Sequence, residues 1–237
     1  MYLRWQRQLP RWITLIPVEL PGRGARLSEA FIENFDDLIE HLCETYARYT
    51  NVRYALYGHS MGALVAYGMA MRWRKLSLGL PEVLFASASP APKHRDPGYF
   101  ADKQTDAALI ADLRKHGGTP LEVFESEEML QITLDTLRAD YRVCSGYQYG
   151  AVKPIAVPIH VFAGRQDDIA SQRILAWEAE TSASFSARWF DGGHFFIREH
   201  EQAIVEAVTR RLQNEISNAD YARPDAALSA SANISKT

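Results

Sequence analysis

Cysteine is scarce in this chain, which has only two, Cys43 and Cys144. Two are too few for a disulfide framework and they lack metal-ligand spacing, so a reducing, cytoplasmic setting with buried, inert thiols is expected. Long apolar runs are missing as well. None approaches the roughly 18 residues that a membrane helix needs, and the opening MYLRWQRQLP has no uninterrupted apolar core of the kind a signal peptide carries. Charge of one sign is also absent: a net charge of −3 gives no basic field for nucleic acid. There is no internal repeat. What is present is an ordinary soluble composition, 47% hydrophobic and 23% charged, over 237 residues. That length suits one sizeable α/β domain.

Strand-like and helix-like stretches alternate. Ile13 to Leu20 (ITLIPVEL) reads as a strand ending at Pro21-Gly22. From about Asn34 to Tyr49 the spacing of Phe35, Leu38, Ile39, Leu42 and Tyr46 predicts a helix, with Asn34 as its cap and Asp36 and Asp37 in its first turn. Tyr54 to Tyr57 is a short buried strand, followed by the apolar helix Ala63 to Met71. Further strands are read at Glu82 to Ser89, Ile159 to Ala163 and Ala187 to Phe190, and a closing helix from about Glu201 to Ile216. This alternation predicts a mainly parallel sheet. Residues 90–153 break it with helices alone. Thr105 caps one that ends at Gly117-Gly118, and Ser126 caps another that carries Leu130, Leu134, Leu137 and Tyr141 inward. A helical insertion between two strands is where a lid over a site would lie. The folded unit is therefore read as residues 1–217, with a disordered tail over 218–237.

Chemistry concentrates at three strand-to-loop junctions. Gly58-His59-Ser60-Met61-Gly62 has the spacing of a nucleophile elbow, where a strand turns sharply at the serine into a helix. The flanking glycines are expected to let strand and helix approach without Cβ clashes. The same pattern can build a merely structural turn, so a base and an orienting acid must accompany it. Of seven histidines, His160, His194 and His200 are placed late enough in the chain. His160 reads as a residue within a buried strand and His200 as a solvated helix residue. His194 follows a strand in the glycine turn Asp191-Gly192-Gly193-His194. Its acid partner is expected after strand Ile159 to Ala163, where Asp167 is preferred to its neighbour Asp168.

With these residues in view, the chain resembles the stand-alone type II thioesterases of nonribosomal peptide and polyketide synthesis, within the α/β-hydrolases. The likeness rests on Leu20-Pro21-Gly22-Arg23-Gly24, the elbow, Leu113-Arg114-Lys115-His116-Gly117-Gly118-Thr119-Pro120, Leu137-Arg138-Ala139-Asp140-Tyr141, residues 164–167 and Gly192-Gly193-His194-Phe195. The resemblance implies a serine thioesterase that clears stalled or mis-primed acyl groups from the phosphopantetheine arms of acyl or peptidyl carrier domains. It needs no cofactor or metal of its own, since the substrate rides on the partner's arm. Ser60, Asp167 and His194 would form the triad, and the backbone N–H of Met61 would serve the oxyanion. A monomer is expected, with no nucleic acid or membrane partner. The chain departs from the family at Met1-Tyr2-Leu3-Arg4-Trp5, which resembles the helix after the family's first strand and Gly-rich loop. By that resemblance both are missing, along with the second oxyanion donor. The expected cause is a start lying upstream of Met1. A shortened, non-catalytic carrier-binding protein, a general esterase and an acyltransferase are the alternatives.

Overall fold

The computed structural model describes residues 2–150 and 152–221. Asn34 opens the first helix, α1 (Phe35–Tyr46), by accepting hydrogen bonds from the Asp36 and Asp37 N–H groups at 2.9 and 3.1 Å. Strand β1 (Leu56–His59) runs into α2 (Met61–Lys75), and β2 (Leu84–Ser87) follows. The helical insertion comprises α3 (Pro97–Ala101), α4 (Asp106–His116), α5 (Leu121–Glu125) and α6 (Glu127–Gly146). The foreseen caps of its two long helices are in place, as the hydroxyls of Thr105 and Ser126 accept from the N–H groups of Ala108 and Met129. The chain then continues through β3 (Ile159–Gly164), α7 (Ser171–Leu175), β4 (Phe185–Phe190), α8 (Phe196–Glu199) and α9 (Glu201–Tyr221).

All four strands pair in parallel in the order β1-β2-β3-β4. Alternation along each strand divides the core. Leu84, Ala86, Ile159, Val161 and Ala163 face α2 and Trp177, whereas Val83, Phe85 and Phe162 face α9 and Trp5. Helix α1 packs on α2 through Leu38, Ile39, Leu42, Leu64 and Met69. The insertion has a small core of its own, built on Leu109, Leu134 and Tyr141. An α/β-hydrolase sheet with a helical insertion is thus what the chain folds into.

Some boundaries differ from expectation. Ile13 to Leu20 is no strand. It is extended but joins no ladder, with Ile16 and Val18 41% and 42% exposed. Among the described residues no strand lies on the outer edge of β1 for it to join, and Pro17 cannot donate to a ladder. Ile13 and Leu15 pack instead beside Trp5 on the α9 face of the sheet. Helix α9 runs on to Tyr221, beyond the expected Ile216, so the first four residues of the expected disordered tail are helical. Residues 222–237 of that tail lie outside the described residues.

Trp177 ties α2 to the loop that leaves β2. It is wholly buried, meets Tyr67 edge-on at 5.6 Å, and its indole N–H donates to the Ser89 carbonyl at 2.9 Å. Trp177→Ala is expected to lower the unfolding free energy by about 3–5 kcal/mol in urea denaturation, and a loss below about 1 kcal/mol would contradict this role.

Candidate active site

Ser60 sits at φ 56°, ψ −117°, between the end of β1 and the first residue of α2. This is a strained backbone for a residue with a side chain. It is pinned from the neighbouring strand, because the Ser60 N–H donates to the Ser87 carbonyl at 2.7 Å. Gly58 is sterically required: a Cβ there would collide with the backbone carbonyl of Gly62. Gly62 is not, since a Cβ at that position would meet open space. The expectation that both glycines relieve a clash therefore holds only for the first.

The three expected residues meet. His194 Nε2 lies 2.9 Å from Ser60 Oγ, and His194 Nδ1 lies 2.9 Å from Asp167 Oδ2. A carboxylate can only accept, so Nδ1–H donates to Asp167, and Nε2 is left to accept from the Ser60 hydroxyl. The order serine, imidazole, carboxylate is that of a triad able to form an acyl-enzyme. Asp167 is almost fully enclosed, with 4% of its side chain exposed. Asp168 is 60% exposed and pairs with Lys115 at 2.6 Å, which holds its carboxyl below the usual range. The preference for Asp167 is thus matched by the geometry.

Close backbone contact brings the acid and base loops together. A Cβ on Gly164 would stand 2.5 Å from the Gly193 carbonyl oxygen. The Arg165 and Gln166 N–H groups donate to the Phe190 and Gly192 carbonyls at 2.8 and 3.0 Å. The lid is fastened to the same loop. A Cβ on Gly118 would stand 2.6 Å from the Phe195 ring, and Arg198 donates to the Gly118 carbonyl while lying over Phe195.

Other histidines take up roles that the sequence did not announce. His59, beside the serine, packs edge-on against His194 at 5.4 Å, with its Nδ1 3.0 Å from Ser87 Oγ. Burial, then the neighbouring His194, pushes its pKa down to about 3. His116, at the end of α4, lies 5.1 Å from the His194 ring, and burial lowers its pKa too. His160 is buried in β3 beside Ser186, 2.8 Å away. His200 is not the free surface residue expected, because its ring rests on Phe190 and its Nε2–H donates to the Asp191 carbonyl at 2.8 Å. Both cysteines are buried thiols whose pKa burial pushes up to about 11.

The triad opens into a cavity of about 420 Å³ walled by the insertion, including Tyr99, Phe100, Leu113, Leu137, Tyr141 and Cys144. Met61 also lines it. As the first residue of α2, its N–H has no acceptor within the helix and can serve a developing oxyanion. A larger groove between α1 and α2, about 630 Å³, touches none of the triad. Among the described residues no group of three His, Cys, Asp or Glu side chains could hold a metal, and no helix is long and apolar enough to cross a membrane.

Comparison with known proteins places this geometry in context. Residues 1–214 match the thioesterase domain family. The chain is 37% identical over 219 residues to the linear gramicidin dehydrogenase LgrE of Brevibacillus parabrevis, covering 90% of this chain and 83% of the relative. It is similar in structure to BorB, a type II thioesterase from the borrelidin biosynthetic cluster, with TM-score 0.73, 34% identity and coverage of 82% and 79%. It is also similar to ClbQ from the colibactin NRPS/PKS pathway, with TM-score 0.83, 28% identity and coverage of 90% and 91%.

Two predictions follow from the geometry. Labelling of Ser60 by a fluorophosphonate, followed by intact mass, is expected to slow about 10³–10⁴-fold in Asp167→Asn, which would disturb the imidazole tautomer. In Asp168→Asn it is expected to change by less than about 10-fold, since an exposed ion pair contributes little; the reverse ranking would reassign the acid. The second concerns His59, which is neutral in the fold down to about pH 3 but takes up a proton near 6.5 when unfolded. The unfolded state then binds more protons, so stability falls as pH drops through that window. His59→Gln is expected to shrink the loss of unfolding free energy between about pH 7 and about pH 4, and an unchanged loss would assign it to other groups.

Proposed function

From the premise that the chain belongs to the thioesterase domain family, we propose that it is an editing enzyme of assembly-line biosynthesis. It hydrolyses stalled or mis-primed acyl groups from the phosphopantetheine arms of acyl or peptidyl carrier domains. The observation that carries this reading is His194 bridging Ser60 and Asp167 at 2.9 Å on each side, beneath a helical cover. A hydride-transfer reading, prompted by the dehydrogenase in one relative's name, would want a glycine fingerprint at a first strand-to-helix turn. Here that turn carries a strained serine with an imidazole on its hydroxyl.

In this mechanism Ser60 Oγ attacks the thioester carbonyl while His194 Nε2 takes its proton. Asp167 holds the Nδ1–H and stabilises the imidazolium that forms. The Met61 N–H donates to the oxyanion. The carrier thiol departs readily, because a thiol of pKa about 8.5 leaves far more easily than an amine, and His194 returns the proton to it. Water, deprotonated by the same imidazole, then attacks the acyl-serine and restores the enzyme. The acyl group lies in the 420 Å³ cavity during both steps. Hydrolysis gives a free acid and a carrier thiol ready for reloading, which is the chemistry an editing role requires.

Intact-mass spectrometry of the chain mixed with an acyl-loaded carrier protein tests this directly. The expected outcome is loss of the acyl mass from the carrier with a transient gain on the enzyme. Both should be reduced at least about 10³-fold in Ser60→Ala. Turnover that survives that substitution sinks the proposal. Carrier binding without any acyl-enzyme would favour the non-catalytic carrier-binding alternative.

A further inference from the structure

Three cations that the triad does not use line the cavity beside Ser60: Lys115, Arg173 and Arg95. Arg95 follows the short 3-10 turn Pro92–His94 and is half-buried. One guanidinium nitrogen, Nη1, donates to Ser89 Oγ at 2.9 Å, and Nη2 donates to Cys144 Sγ at 3.4 Å. Its Nε is shielded from solvent and has no acceptor. The group lies 5.5 Å from the Phe100 ring centre. Among the described residues Arg95 makes no ion pair, and its thiol partner is held neutral by burial. A half-buried charge with only a hydroxyl and a thiol for hydrogen-bond partners is imperfectly compensated.

The acids of the same wall are already engaged. Asp112 takes Lys103 at 2.7 Å and the Tyr141 hydroxyl at 2.8 Å. Asp140 takes Arg23, Asp167 takes His194, and Asp168 takes Lys115. Asp96 is exposed and accepts from the Gly98 N–H at 3.0 Å to start α3. The other arginine of the wall, Arg173, spends two donors on the His94 carbonyl. Arg95 is therefore a half-buried charge of this wall that has no carboxylate partner and keeps one donor unmet. It also stands close to the reacting centre. Ser89, which it grips, is two residues past Ser87, whose carbonyl holds the Ser60 N–H. The Trp177 indole fixes Ser89 from behind.

We propose that Arg95 is a specificity-determining residue that binds a carboxylate on the acyl group, so that the preferred substrates are half-thioesters of short dicarboxylic acids. This deepens the thioesterase reading and rests on it. A guanidinium presents planar, paired donors that match a carboxylate and a carboxamide cannot supply the opposing charge. A ligand carboxylate would engage the Nη hydrogens that Ser89 and Cys144 leave over and would balance the guanidinium charge, while the surrounding Phe100, Leu137 and Tyr141 contact the methylenes.

The test uses the full chain and a carrier protein loaded with malonyl, succinyl or glutaryl groups, each beside its terminal carboxamide. Deacylation is followed by intact mass. At least one carboxylate is expected to leave faster than its carboxamide by about 10-fold or more, and Arg95→Gln is expected to reduce that ratio by about 10- to 100-fold. Arg95→Lys, which keeps the charge without the fork, should retain part of it. A wild-type ratio at or below one for all three lengths overturns the proposal, whatever the variants do, as does a ratio that Arg95→Gln leaves unchanged. In either case, carboxamides still leaving the carrier would keep the thioesterase reading intact. If the wild type removes none of the six groups, both readings fall.

Discussion

The contact between the end of β1 and the first turn of α2 is the constraint on which the rest depends. Gly58 brings strand and helix so close that a side-chain carbon would strike the Gly62 carbonyl. The chain can make that turn only by putting Ser60 at a positive φ, a conformation that costs on the order of 1–3 kcal/mol. The packing on both sides overdetermines it. Helix α2 is buried along most of its length, with Ala63, Leu64, Ala66 and Ala70 against the sheet or α1. The Ser87 carbonyl holds the Ser60 N–H from the adjacent strand. The fold thereby projects one hydroxyl into a cavity and leaves the first N–H of α2 without a helical acceptor beside it.

A second close approach aligns the base with that hydroxyl. Gly164 at the end of β3 nearly touches the carbonyls of Gly192 and Gly193, so acid and base loops are fixed as one unit. Phe195 then offers its ring to Gly118 of the lid, and Arg198 clasps the Gly118 carbonyl. The glycine pair in Leu113-Arg114-Lys115-His116-Gly117-Gly118 and the Gly-Gly-His-Phe loop are thus two halves of one contact. That is why both were informative in the sequence, although about 75 residues separate them. The cover over the cavity and the histidine beneath it are positioned together.

What the sequence allowed one to read was whatever local chemistry decides. Asn34, Thr105 and Ser126 cap helices because their own side-chain oxygens reach the next N–H groups. The elbow, His194 and Asp167 were legible because each sits where a strand gives way to a glycine turn. Tertiary contacts decided the remainder. Ile13 to Leu20 alternates like a strand, yet strand formation needs a neighbour, which local pattern cannot supply. The packing of His59 and His116 on His194 joins residues about 135 and 78 positions from it, and no spacing announces that. Arg95 looked like one charge among many, since only the folded wall reveals that its neighbours have other partners.

The polar accounting is uneven across the site, and the unevenness has a direction. Serine, imidazole and carboxylate are mutually satisfied, and Asp167 is fixed in an enclosed position. The outer side of β1 is an open sheet edge among the described residues, while Trp5 and Tyr2 meet Tyr57 edge-on at 4.8 and 5.7 Å on the α9 face of the sheet. Serine, base and acid are thus in contact with one another, and the Met61 N–H beside them has no acceptor within its helix. Each donor to an oxyanion is worth about 10²–10³ in rate. Such a donor acts on every acyl group alike, because an oxyanion forms at the carbonyl and not along the acyl chain. Discrimination between acyl groups has to come from elsewhere in the cavity, and the unpaired guanidinium of Arg95 is the group there with charge to spare.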